Sequence, residues 1–504
     1  MTIKKLSSSS AGFKVQLAVL VVLACIARTP DAAFTQIGPG TPYLLNRWLS
    51  SVEPSTAETD REINNWLDVG YKYSYWRAGL RVEFHDPRNP QVYNDKITQR
   101  YVMFKKDWLR IRAGNFYERL GRGLVFHAFE IQSQTLNRTD QNIAIDRNID
   151  GANIKLSFDN VDVTGIWGRP LKMFSSARGH ALGGGEVRFR PFSALLLGGT
   201  FLRFSDDFLA GVAGLERKID LELSSLQVGL SLGSIDLHTE ISQKKSADES
   251  AIPSGNAVYA TANYSGDSFG LSAEFKRYED FNTDFNNPPA LVKTHSFTLL
   301  NRHTHSLNPN DEIGYQFESY FSPNLSTTIT LHASGADNLE NNERQRFREY
   351  FFESRQEWGE QAISRVLIDY SKDRLLGDLN RWTFASEVDY LLNDRNSLLF
   401  DAQLQNIDNE NNLNGKYWNM LGLLAFSRSP FMTLSARYEH TTKARSEKST
   451  KSNWFSGTLN LKVGQHHDII LTAGSRPGGL VCSGGICFQV PEFEGVELRW
   501  NARL

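Results

Sequence analysis

The chain has 504 residues, a formal net charge of −2, 12% aromatic and 22% charged residues. A balance this close to neutrality, without a long basic run, argues against a nucleic-acid binder. The mean hydropathy of −0.39, and the lack beyond the N-terminus of any apolar run near the roughly 18 residues a spanning helix needs, exclude a bundle of membrane helices.

The N-terminus reads as an export signal. Lys4, Lys5 and Lys14 precede Val15 to Ile26, which is apolar apart from Gln16, and the small Ala32 and Ala33 follow. Residues 1–33 are therefore expected to be a signal peptide, cut before Phe34 or after Ala27. Cys25 closes a run, Val22-Leu23-Ala24-Cys25, that resembles a lipoprotein cleavage box; the plainer reading is a cysteine inside the removed signal. Residues 34–504 then form one exported domain. Its first stretch, Phe34 to about Asn64, is too short for the plug domain of an energised nutrient receptor.

From Thr41 onward the pattern is alternation. Phe269, Leu271, Ala273 and Phe275 oppose Ser272, Glu274 and Lys276; Leu398, Phe400, Ala402 and Leu404 oppose Asp401, Gln403 and Gln405. The segments starting at Met432 and Phe455 repeat it, and Val496, Leu498, Trp500, Ala502 and Leu504 oppose Glu497, Arg499, Asn501 and Arg503. Successive strand residues point to opposite faces, so each segment has one apolar and one polar side. Segments of about 10–13 residues exceed the usual strand and suit a tilted membrane crossing.

Tight turns are expected at Trp76-Arg77, Lys106-Asp107, Asp159-Asn160, Pro191-Phe192, Gly233-Ser234, Gly266-Asp267, Pro323-Asn324, Glu357 to Gly359, Asp394-Arg395, Ser429-Pro430 and Gly464-Gln465. Longer polar loops, such as Asp408 to Gly415 and Thr442 to Lys451, lie between them. Short turns at one rim and long loops at the other are the arrangement of an all-β, antiparallel transmembrane barrel. Eleven turns, the C-terminal strand and a first strand near Thr41 to Ser50 predict about 24 strands, with 20–26 as the range. Glu343 to Ile363 has a composition that would also suit a helix.

Two intervals between turns are much longer than the rest, Glu118 to Asp150 and Glu279 to Asp311. Each must form a long external loop or fold into the lumen, where inward loops set pore size. The first carries Glu118, Arg119, Arg122, His127 and Glu130, candidates for a constriction in which Arg119 and Arg122 attract anions or pair with lumen carboxylates. The second carries His295, His303 and His305, which match no metal-site spacing, so neither a metal nor another cofactor is expected. Cys482 and Cys487 flank Ser483-Gly484-Gly485-Ile486, a loop short and flexible enough for a disulfide in an oxidising compartment.

Gly114 to Leu124, Asn301-Arg302-His303-Thr304 with Asp311 to Gln316, and the Cys482/Cys487 loop together resemble an uncharacterised family of bacterial outer-membrane, porin-like barrels. The resemblance covers most of the exported chain and implies fold and location, with no substrate. The partners expected are outer-membrane lipid, the barrel-assembly machinery and small solutes. No hydrolase, zinc-protease, phosphate-loop or dinucleotide signature occurs, so an enzyme is not expected. A passive or loop-gated channel for small solutes is the first reading; a surface-binding or structural barrel in an envelope or secretion complex is the alternative.

Overall fold

The computed structural model describes residues 40–504 apart from 55–58, 87–96, 133–143, 173–176, 211–214, 284, 292, 294, 303, 306, 309, 341–342, 444–450 and 484–485. The expected signal peptide lies outside the described residues. Twenty-four antiparallel strands make one sheet. The sheet closes because its first strand, Thr41–Pro54, pairs with the second, Thr59–Tyr73, on one edge and with the last, Phe493–Arg503, on the other. Trp48 thus stands opposite both Asn65 and Trp500. Closure gives each of these 24 strands a partner on both sides, which is what a sheet needs in a medium without water.

The two faces are inverted relative to a soluble sheet. In the last strand Val496 and Leu498 are 48% and 36% exposed, while Glu497 and Arg499 are 3% and 9% exposed. The apolar side of the alternation points outward and the polar side into the lumen, as lipid outside and polar contents inside require. Large aromatics, among them Trp76, Trp108, Phe158, Tyr264, Trp358 and Phe431, stand exposed beside the tight turns and form an aromatic girdle at that rim.

All eleven expected hairpins are present. Three turns fall wholly outside the expected residues: the chain reverses at Ser74-Tyr75, Ser193-Ala194 and Leu325-Ser326, not at Trp76-Arg77, Pro191-Phe192 and Pro323-Asn324, and two more slide toward the C-terminus, to Asp107-Trp108 and to Gly359 through Gln361. The two prolines are the physical reason at two of these sites. Register shifts between Phe189 and Phe192 and between Phe321 and Asn324 hold Pro191 and Pro323 in bulges, where a residue without an N–H is tolerated inside a strand. At the first, Ser74 takes a positive φ of 52° and makes the turn itself. Glu343–Trp358 is a strand. Phe347, Glu349 and Phe351 are buried while Tyr350 and Phe352 are exposed, a period of two that composition alone does not reveal.

Candidate functional site

A barrel of this strand number has a bore wider than its inward side chains can fill. Here the described residues of both long intervals fold into that bore. We call residues 117–148 the first insert and 280–310 the second.

The first insert contains two small hairpins, Arg119–Leu120 with Phe126–His127 and Glu130–Gln132 with Ala144–Asp146. Its apolar tip, Leu120 and Leu124 to Phe126, is fully buried in a core shared with inward-facing wall residues Ile166, Leu182, Leu202, Phe204, Leu221 and Leu223. Polar contacts complete the seat. The backbone N–H of Gly121 donates to Glu186 Oε1 at 2.9 Å and that of Arg122 to Glu240 Oε2 at 2.8 Å. Gly121 has φ +59°, and a Cβ there would lie 2.4 Å from the Glu240 carboxylate; only glycine permits this approach.

Of the five constriction candidates, two carboxylates are tied to the wall. Glu118 receives Lys155 Nζ at 2.7 Å and Arg110 at 3.3 Å, and Glu130 receives Arg81 at 2.6 Å. Arg119 and Arg122 are both exposed. His127 is half-buried beside Phe129, with ring centroids 4.9 Å apart. Burial, reinforced by the nearby Arg119 and Arg147, pushes its pKa down to about 4, so it is neutral at pH 7.

The second insert carries one helical turn, Thr298–Asn301, and meets a different kind of wall. His305 Nδ1 lies 3.1 Å from Asp373 and Nε2 3.4 Å from Glu312, with the ring stacked on Phe347 at 4.6 Å. Burial opposes charge on this ring, but the two carboxylates outweigh it and raise the pKa to about 9. His295 Nε2 lies 3.2 Å from Glu349. Lys293 pairs with Glu318, and Arg302 grips Glu439 with its two terminal nitrogens at 2.5 and 3.1 Å. The backbone of Leu299 donates to Gln403 at 2.9 Å and accepts from Gln405 at 3.3 Å. Four side chains of the insert that are cationic or can become so thus face five wall carboxylates, Glu318, Glu349, Glu439, Asp373 and Glu312. His295 and His305 do not converge, and His303 lies outside the described residues. Among the described residues no group of three or more His, Cys, Asp or Glu is placed to hold a metal ion.

The inserts also hold each other. His127 N–H donates to Phe285 O at 2.9 Å, Asn287 N–H to Gly123 O at 3.1 Å, and Phe285 packs edge-on against Phe204 of the wall. A third segment joins them, contrary to the expectation that only two intervals have spare length. The hairpin Gly479–Ser483 with Ile486–Val490 brings Val490 against Phe129, Ile131 and Ile145, and Glu492 accepts from the Trp454 indole at 2.7 Å. In this hairpin Cys482 stands opposite Cys487 in register; their side chains lie outside the described residues. Between this hairpin and the second insert remains a cavity of about 340 Å³, lined by Arg302, Glu439, Tyr417, Asn419 and Lys443 among others.

The sequence reading missed the wall side of these contacts: Glu186, Glu240, Glu349, Asp373 and Glu439. Each sits at an inward position of an ordinary alternating strand. The one available signal was that acidic residues recur at mid-strand inward positions, where plain water-lining would accept any polar residue.

A family model described as "Family of unknown function (DUF6029)" matches residues 47–504. No curated protein matches significantly. Among solved structures, a chain in the E. coli P pilus tip assembly intermediate PapC-PapD-PapK-PapG matches 92% of this chain and 60% of that chain, with 10% identity and a TM-score of 0.52. The present chain thus spans under two thirds of that relative, and the likeness is one of fold. The P pilus usher (PapC) translocation pore matches over 92% of this chain and 99% of that one at 10% identity, TM-score 0.45. OccK5 (OpdH) of Pseudomonas aeruginosa matches over 69% and 97% at 11% identity, TM-score 0.38.

Proposed function

The chain belongs to the DUF6029 family, and from that premise we propose that it is an outer-membrane, porin-like channel whose second insert is a movable gate. The observation that carries this reading is the asymmetry of the two seats. The first insert is held by a continuous apolar core, which gains nothing by moving into water. Phe281, Phe285 and Leu291 of the second insert share that core, but from Lys293 onward the insert rests on a small apolar patch, Phe297 and Leu300 against Phe351, Leu367 and Ala385, and on ion pairs and hydrogen bonds to wall carboxylates, groups that water and salt can satisfy in its place. With the gate withdrawn, the exposed Arg119 and neighbouring Arg122 are the cations an entering anion would meet. The solute is small and polar, since the wall it would pass presents carboxylates, amides and guanidinium groups.

Planar-bilayer recording tests this. The intact protein should conduct little. The double variant Glu349→Gln/Asp373→Asn, which weakens two latches without changing size, should open more often and to larger steps. Equal silence of the intact protein, the latch variant and a variant lacking residues 293–308 would end the channel reading. The occluded bore would then favour the alternative, a barrel that works by binding at its surface.

A further inference from the structure

The outward face of the barrel is not uniform. Six neighbouring strands, Phe269–Glu279, Asp311–Asn324, Thr327–Glu340, Glu343–Trp358, Ala362–Asp373 and Asp378–Asn393, line a depression of about 540 Å³ on their lipid side. Its shape follows from the register. Phe317, Ala333, Tyr350, Tyr370 and Trp382 stand in one row across neighbouring strands. Ala333 is the small member between large rings, and it makes the floor. The rings beyond it are ordered, Tyr350 on Tyr370 at 6.5 Å and Tyr370 on Trp382 at 4.6 Å. The next row toward the turns adds Leu331, Phe352 and Ile368.

Directly above, toward the loops, the outward rows become basic. Arg348 stands opposite Lys372, and Arg346 opposite Asp337; Arg344 lies one step higher on the same face. Asp337 is shared by Arg348 at 2.8 Å and by Arg344 and Arg346 at 3.6 Å each. Asp337, and Asp311 in the row of Arg344, against these three arginines and Lys372 leave two positive charges in excess. Arg344 and Arg346 keep side-chain exposures of 63% and 55%. Arg277, on the neighbouring strand, is already paired with Glu279. The level of this cluster is fixed by aromatics. Trp358, in the girdle at the turn rim, and Tyr350 lie about 26 Å apart along one strand at ~3.3 Å per residue, about 20 Å across a bilayer at barrel tilt. Tyr350 therefore marks the loop-side interface, and the arginine rows stand at headgroup depth.

We propose that this face binds one phosphorylated, multiply acylated lipid of the outer leaflet, its phosphate on Arg344, Arg346, Arg348 and Lys372 and its acyl chains in the groove over Ala333. Guanidinium groups match phosphate in charge and geometry, and the groove supplies the apolar seat that a bare basic rim lacks. The inference rests on the reading of the chain as an outer-membrane barrel.

The test is titration of the full-length, detergent-purified protein with lipid A, read by native mass spectrometry. The wild type should retain one lipid A. The variant Arg344→Gln/Arg346→Gln/Lys372→Gln should bind at least tenfold more weakly. So should Ala333→Trp, which fills the groove and leaves the charges in place, and so should the wild type offered dephosphorylated lipid A. Undiminished binding in both variants, or indifference to the phosphates, overturns the proposal. Insertion into phosphatidylethanolamine vesicles is measured in parallel. A protein that inserts but retains no lipid A defeats this proposal alone; one that does not insert defeats the outer-membrane reading as well.

Discussion

His305 and His127 are placed so that pH acts on the two inserts in opposite directions. His305, raised to about 9 between Asp373 and Glu312, is charged at neutral pH. Its contribution is fully present below its ordinary value near 6.5 and is lost as pH rises through about 9. For so buried a group this is on the order of 3 kcal/mol. His127, lowered to about 4, stabilises the first insert while neutral. That contribution is present above about 6.5 and is lost as pH falls toward 4. Hydrogen exchange at pH 5, 7 and 9.5 should show residues 117–128 loosening in acid and 293–305 loosening in alkali. His305→Ala should abolish the alkaline arm alone; a common profile for both inserts would contradict the assignment. Gly121 gives a second residue-scale expectation. Gly121→Ala would hold a Cβ at φ +59° against the Glu240 carboxylate, at a cost of roughly 1–3 kcal/mol. Protease nicking near residue 121 should rise, with the far-ultraviolet spectrum of the barrel unchanged. Both predictions depend on wall partners that a linear sequence does not reveal: Arg119, Arg122 and His305 were visible as candidates, but their surroundings are set by strands up to about a hundred residues away.

Among the elements, the strands and turns were legible because each is a local affair. Glycine, asparagine and aspartate set turn dihedrals, and lipid on one side with polar contents on the other imposes a period of two. The first strand was expected at Thr41 to Ser50 and runs Thr41–Pro54. The inserts were legible only as surplus length, since their fold is dictated by contacts with wall strands distant in sequence. One clue was present in the strands themselves. In Leu195–Ala210 the alternation fails: Leu202 and Phe204 are apolar and buried inward while Phe201 is apolar and exposed outward. A barrel strand apolar on both faces must have something apolar inside. The consequence is a stability difference between inserts. Leu124→Ala, in the fully buried tip, should cost about 2–5 kcal/mol, whereas deleting residues 293–308 removes the wall ion pairs and the small patch of Phe297 and Leu300, keeps Phe281, Phe285 and Leu291 in the shared core, and should leave the barrel foldable. Refolding yield and heat-modifiable gel migration check this. If Leu124→Ala folds as well as wild type while the deletion prevents folding, the fixed and movable roles are reversed.

For the whole molecule, the charge carried by the inserts matters as much as their bulk. The half of the wall that faces the second insert is acidic: Glu312, Glu318, Glu349, Asp369, Asp373, Glu387, Asp401 and Glu439 are inward, against Lys276, Arg365, Arg381 and Arg437. Some of these neutralise one another. Lys276 pairs with Glu312 and Arg365 with Glu387, and Arg437 reaches Glu439 at 2.6 Å. The insert supplies further positive groups in Lys293, His305 and Arg302. Removing it therefore does more than widen the bore. It strips cations from an acidic wall and leaves carboxylates facing water in a low-dielectric tube, where a ring of like charge sets ion selectivity. Deleting residues 293–308 should then raise conductance and shift the reversal potential in a salt gradient toward cation preference, more strongly at low ionic strength, where the wall charges are less screened. Adding Glu439→Gln and Glu349→Gln to the deletion should return selectivity toward neutrality at unchanged conductance. A deletion that opens the pore but leaves it anion-selective would mean that Arg119 and Arg122 on the fixed insert, rather than the wall, govern the path.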